Sequence, residues 1–125
     1  MDRDSPHLPR AAPIDAYGKG GFRFADMSHR GSLLCLPDGI WPSAVTRPQE
    51  ISESSLALVF SATPRIEHCL IGTGREPWLL PQDLQARFRD NGIPLETMTT
   101  GAAVRTYNIL VGERRRVAAL LIAVD

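Results

Sequence analysis

Apolar and polar positions along this chain fall into short runs bounded by glycine and proline. Phe22-Arg23-Phe24 alternates, as a half-buried strand does, after a glycine-rich flexible turn at Tyr17-Gly18-Lys19-Gly20-Gly21. Residues 27–30 read as a short polar link. Residues 31–36 read as a second strand, closed by the turn signature Pro37-Asp38-Gly39. The two strands lie close in sequence, which predicts a hairpin between them. Ile40-Trp41-Pro42 then leads into a polar stretch. Ser52 is placed to cap a helix that runs to about residue 60, with Ile51 and Leu56 in the positions of a hydrophobic staple.

The second half is more regular. Residues 66–71 predict a strand. Pro81 suits the first position of a helix, where its missing N–H costs nothing, and Leu84 and Phe88 give that helix an apolar stripe. Asn91-Gly92 is a natural stop. Residues 93–98 predict a strand whose Pro94 favours an edge position. Thr99-Thr100-Gly101 opens a helix over residues 102–111. Ala103, Tyr107 and Leu110 share one of its faces, Arg105 and Asn108 lie on others, and Gly112 ends it. Residues 117–124 are almost continuously apolar, which implies a central strand covered on both faces by helices. The order is two strands, a helix, then strand-helix-strand-helix-strand. It predicts an α/β domain with a central mixed β-sheet of about five strands flanked by helices, its later crossovers right-handed.

Composition narrows the classes. At 125 residues the chain fits one domain. We expect this domain over residues 14–125, after a polar, proline-rich lead-in, MDRDSPHLPRAAP (residues 1–13), that lacks the apolar core of a signal peptide and reads as a disordered tail. Fourteen basic residues balance fourteen acidic ones, which argues against a broad electrostatic grip on nucleic acid or anionic membrane. Arg114-Arg115-Arg116 is the one dense basic run, read either as a solvated strand entry or as a surface for an acidic partner. No apolar stretch reaches the roughly 18 residues of a membrane span, so an integral membrane protein is not expected. Cys35 and Cys69 sit inside apolar runs without metal or redox spacing, as buried free thiols do. That usage suits a cytoplasmic location.

Candidate chemistry concentrates in two loops. Gly72-Thr73-Gly74 and Thr100-Gly101-Ala102 each follow a strand, and parallel neighbouring strands would bring them to one end of the sheet, where open α/β folds bind ligands. The free N–H groups at the start of the second helix favour an anion, and Arg105 lies one turn in. The competing reading is that the glycines only turn the chain sharply and that Thr100 only caps a helix. Arg75-Glu76-Pro77 follows the first loop, so neither a dinucleotide fingerprint nor a P-loop is present. His7, His29 and His68 are scattered, and no nucleophile elbow or zinc-hydrolase motif occurs. No catalytic residue, metal ligand or cofactor is assigned, and the balance leans away from an enzyme. Trp41 and Trp78 adjoin prolines in expected loops. Trp41, with Arg114 and Arg115, is a candidate contact for a protein partner.

Several stretches together resemble a known family. They are residues 17–24 (YGKGGFRF), 29–34 (HRGSLL), 36–39 (LPDG), 70–74 (LIGTG), 100–108 (TGAAVRTYN) and 116–119 (RVAA). In order and spacing they are similar to the small domain family of unknown function whose mitochondrial member is NADH dehydrogenase (complex I) assembly factor 3, over about residues 14–124. The resemblance implies a three-layer α/β fold around a mixed sheet and no established enzymatic activity. It also implies a protein partner, such as subunits or assembly factors of a membrane complex, because the mitochondrial relative binds another protein and an early intermediate of a respiratory complex. Bacterial relatives are often encoded near protein-export genes. Gly72, Thr73, Gly74, Thr100, Gly101, Arg105, Tyr107 and Asn108 match the family pattern and are the site candidates it supports. Some relatives carry Asp in place of Thr99 and Cys in place of Val104, so a mechanism needing that acid or thiol would fail here.

Overall fold

The computed structural model describes residues 6–125. Its frame is a five-stranded mixed sheet. Strands β1 (Ala16–Gly18), β2 (Gly21–Phe24) and β3 (Met27–Arg30) form a separate antiparallel sheet, and β4 (Ser32–Leu36) and β5 (Gly39–Ser43) begin the large one. After α1 (Ala57–Ser61) come β6 (His68–Gly72), α2 (Gln82–Asp90), β7 (Leu95–Met98), α3 (Thr100–Gly112) and β8 (Val117–Leu121). The large sheet runs β5-β4-β8-β6-β7, antiparallel across β5, β4 and β8 and parallel across β8, β6 and β7.

Strand β8 takes the middle of that sheet, as its apolar run implies, and all five of its residues are buried. Alternation along the central strands divides the core in two. Leu34, Leu36, Cys69, Ile71, Ala118 and Leu120 face α1 and α2, packing on Leu56, Val59, Leu84 and Phe88. Leu33, Cys35, Leu70, Val117, Ala119 and Leu121 face the opposite way, onto Ala103, Val104 and Tyr107 of α3 and onto Phe22 and Phe24 of β2. The layers are therefore α1 and α2, the five-stranded sheet, then α3 beside the small sheet.

The first half departs from the sequence pattern in definite ways. The expected hairpin between residues 22–24 and 31–36 does not form. Strand β2 turns back onto β3, where a polar link was expected, and β4 pairs with β5 through the Pro37-Asp38 turn. Tyr17 and Gly18, expected in a flexible turn, belong to β1. The helix expected from Ser52 is two short pieces, a 3-10 turn at Ser54–Leu56 followed by α1. Ser52 Oγ does accept from the Ser55 N–H (3.3 Å), and Ile51 and Leu56 are both buried. Strand β7 lies at the sheet edge as Pro94 predicts.

Residues 6–13, expected to be disordered, run along the protein surface. The N–H groups of His7 and Leu8 donate to the Ile40 carbonyl, and the Leu8 carbonyl accepts from the Ile40 N–H. Ala12 is buried. Few apolar residues mark this segment, and backbone pairing anchors it instead. Residues 1–5 of the expected tail lie outside the described residues. No helix among the described residues is long and apolar enough to cross a membrane.

Candidate functional site

The parallel pairing of β6 and β7 brings both glycine loops to one end of the sheet, and there they close on each other. The Thr73 N–H donates to the Met98 carbonyl (2.8 Å) and the Thr100 N–H to the Gly74 carbonyl (2.9 Å). Thr100 Oγ1 accepts from the Gly74 N–H (2.9 Å) and donates to the Ile122 carbonyl (2.7 Å). Thr73 Oγ1 donates to the Glu76 carbonyl (2.7 Å). A Cβ on Gly72 would stand 2.9 Å from Thr100 Cα, so glycine here is demanded by close approach of strand and helix. Thr73 and Thr100 are buried. The gap that an anion would need is occupied by the protein's own hydrogen bonds.

The helix start is likewise covered. Thr99, not Thr100, stands at the cap position of α3, and its side chain makes no capping bond. A Cβ on Gly101 would fall 2.3 Å from the Tyr17 hydroxyl, so Tyr17 of β1 sits directly on the first turn. Farther along α3 the candidates serve packing. The Tyr107 hydroxyl donates to the Ala12 carbonyl (3.0 Å). Asn108 Oδ1 accepts from the Ile14 N–H (2.8 Å), and its Nδ2 donates to the Ile14 carbonyl (2.8 Å). Both fasten the segment ahead of β1 to the helix. Arg105 is exposed on another face. Structure thus joins Gly72, Thr73, Gly74, Thr100 and Gly101 in one closed junction, puts Tyr107 and Asn108 at a second, and leaves Arg105 apart.

Burial dominates the titratable groups near the core. Burial pushes the Cys35 and Cys69 thiols up to about 12, and both are free. Burial, and then the neighbouring Cys35, push the Tyr107 phenol well above its usual range. Burial lowers His29 from its ordinary value, opposed by its bond to the Ser32 carbonyl (3.1 Å) and aided by His7. No cluster of metal-ligating side chains occurs among the described residues.

The partner candidates divide. Trp41, on β5, is half-buried against the core, and its Nε1 has no hydrogen-bond partner among the described residues. Arg115 is engaged with Glu67 (3.8 Å) and His68 (3.4 Å), whereas Arg114 sits exposed in a left-handed turn (φ 60°).

A surface that sequence reasoning missed lies on the small sheet. Alternation turns Phe22 and Phe24 into the core and Arg23 outward. Lys19, Arg23 and Arg30, with Ala16, Gly18, Gly21 and Ser28, border a concavity of about 600 Å3. Arg23 and Arg30 are seven residues apart, and only the β2–β3 register makes them neighbours.

Comparison with known proteins agrees with this layout. Residues 14–122 match the model of a family described as "Protein of unknown function (DUF498/DUF598)". The chain belongs to this family. A family relative in Rhodobacter capsulatus, itself uncharacterized, is 35% identical over 94% of this chain and 89% of its own length. The mouse NADH dehydrogenase [ubiquinone] 1 alpha subcomplex assembly factor 3 is 37% identical over 92% of this chain, which spans only 62% of the mouse protein's length. The crystal structure of an outer membrane protein from Bartonella henselae superimposes with a TM-score of 0.91 at 51% identity, covering 95% of this chain and all of that one. This chain thus shares its three-layer mixed-sheet fold with that protein. Val104 is a buried packing residue of α3.

Proposed function

We propose that this chain is a non-enzymatic interaction module that serves the assembly of a respiratory membrane complex. The observation that carries the proposal is the 37% identity to the mouse complex I assembly factor across nearly the whole of this chain. The closed strand-end junction supports it as well. The threonine hydroxyls and backbone groups that would hold a small ligand there are spent on the fold, and the two thiols are buried and protonated. An assembly role needs a surface rather than a pocket.

The test is affinity capture from the cell that encodes the protein, at native expression level, with quantitative mass spectrometry against an unrelated tagged control. Enrichment of respiratory-complex subunits or of other assembly proteins is the expected result. A capture with no partner above control sinks the reading.

A further inference from the structure

We propose that the outer face of the small sheet is a docking trough for an extended acidic segment of a partner protein, one bearing carboxylates at every second residue. The proposal rests on the interaction-module reading and specifies its surface.

Three observations carry it. The first is charge without compensation. Among the described residues the ion pairs are Arg47–Glu50, Arg87–Glu53 and Arg115–Glu67; Lys19, Arg23 and Arg30 take part in none. Asp15 and Asp26 border the same sheet, yet neither carboxylate comes within ion-pair reach of them. The second is shape. Ala16, Gly18, Gly21 and Ser28 place small or absent side chains between the cations on this face, and Tyr17, Phe22 and His29 complete the lining of the concavity. A Cβ on Gly20 would lie 3.9 Å from an Arg30 guanidinium nitrogen, so the Arg30 head lies over the turn that carries Lys19. Arg30 and the Lys19 turn therefore lie at the same end of the trough.

The third is spacing. Arg23 stands opposite Ser28, and Arg30 opposite Gly21, so the two arginines are diagonal neighbours on one face of the sheet. Such neighbours are about 7–8 Å apart. An extended chain rises about 3.4 Å per residue, which puts alternate side chains about 7 Å apart on one face. Carboxylates at alternate positions therefore match the arginines, and each guanidinium can take a carboxylate with two parallel hydrogen bonds. Three cations on a chain of zero net charge are few for the counterion-driven binding that nucleic acid demands.

The experiment uses the full chain and a fluorescein-labelled peptide, Glu-Ser-Glu-Ser-Glu flanked by glycines, titrated by anisotropy at low and physiological salt. The expected result is saturable binding. Arg23→Ala and Arg30→Ala should each weaken it about threefold, as rim ion pairs do, and the double reversal Arg23→Glu/Arg30→Glu should abolish it. A same-composition peptide with its three glutamates contiguous should bind more weakly. All these residues are exposed, and circular dichroism checks that each variant folds. Amide NMR on the wild-type protein gives a variant-free readout, with shifts expected at Gly18, Gly21, Arg23 and Arg30. No peptide binding, shifts elsewhere, or binding only to single-stranded DNA or to vesicles containing anionic phospholipid overturns the proposal. The charge-reversal protein also goes into the capture experiment. If it retains the partners that the wild type retains, the trough is wrong and the assembly reading stands; if the wild type itself captures nothing, the assembly reading falls.

Discussion

Thr100 shows most directly how single side chains turned an expected cleft into a joint. Its hydroxyl is fully buried, accepting from Gly74 and donating to Ile122. Thr100→Val keeps the volume but strands a buried N–H and a buried carbonyl. The expected loss is about 1–3 kcal/mol of stability, read as a lower urea midpoint. Gly72→Ala forces a methyl against the α3 backbone and should cost a similar amount, about 1–3 kcal/mol, in the same assay. If both variants match wild type, the junction is looser than described. His29 gives a prediction with a sign. Its folded value is lowered, so the folded state binds that proton less readily than the unfolded state does. Stability should be at its plateau above the ordinary value of about 6.5 and decline as pH falls from there toward the lowered value. His29→Gln should flatten that decline when urea midpoints at pH 7.5 and 5.5 are compared. The glycines and threonines were visible in the sequence as a pair of strand-end loops. Whether they faced across space or touched was not, because that depends on where one threonine hydroxyl points.

At the scale of elements, α3 holds the architecture's least obvious contact. Its Asn108 carboxamide pairs with both backbone groups of Ile14, just ahead of β1. Asn108→Ala should expose those groups, and amide hydrogen exchange at Ile14 should accelerate while exchange within β8 stays slow. Equal acceleration in both would mean that the contact belongs to global unfolding rather than to local anchoring. The later elements were legible because each has a strong local signature: Pro81 and Asn91-Gly92 bracket α2, Pro94 marks an edge, and the apolar run of β8 marks the centre. The small sheet was not. In β3, Met27 and His29 turn toward the protein and Ser28 and Arg30 outward, but a histidine and a single aliphatic residue make a faint period-two signal. Strand pairing then decided what periodicity could not: β4 takes β5 and β8 as its neighbours, and β2 is left to β1 and β3.

Over the whole molecule, one five-stranded sheet separates two apolar layers, and each layer contains one thiol. Cys69 lies with α1 and α2, and Cys35 with α3. Both are buried and protonated, so neither should react with a maleimide near neutral pH until its layer opens. Because β8 contributes to both layers, they should open together. In Cys35→Ser and Cys69→Ser proteins the remaining thiol should become reactive at the same urea concentration, once the midpoint of each variant is taken into account. Earlier reactivity of Cys35 would reveal a separable α3 layer. Overall class, a mixed sheet with helices on both faces, was readable from the alternation of strands and helices. The basic trough was not, since its residues converge only through the fold. Asn108, finally, bears on solubility. The upstream extension of β1 would otherwise offer another chain the exposed peptide groups on which intermolecular sheets are seeded. A side-chain amide, carrying one donor and one acceptor like a peptide unit, fills that vacancy from within. Its loss should register first as turbidity on standing at high concentration, before any change in melting temperature.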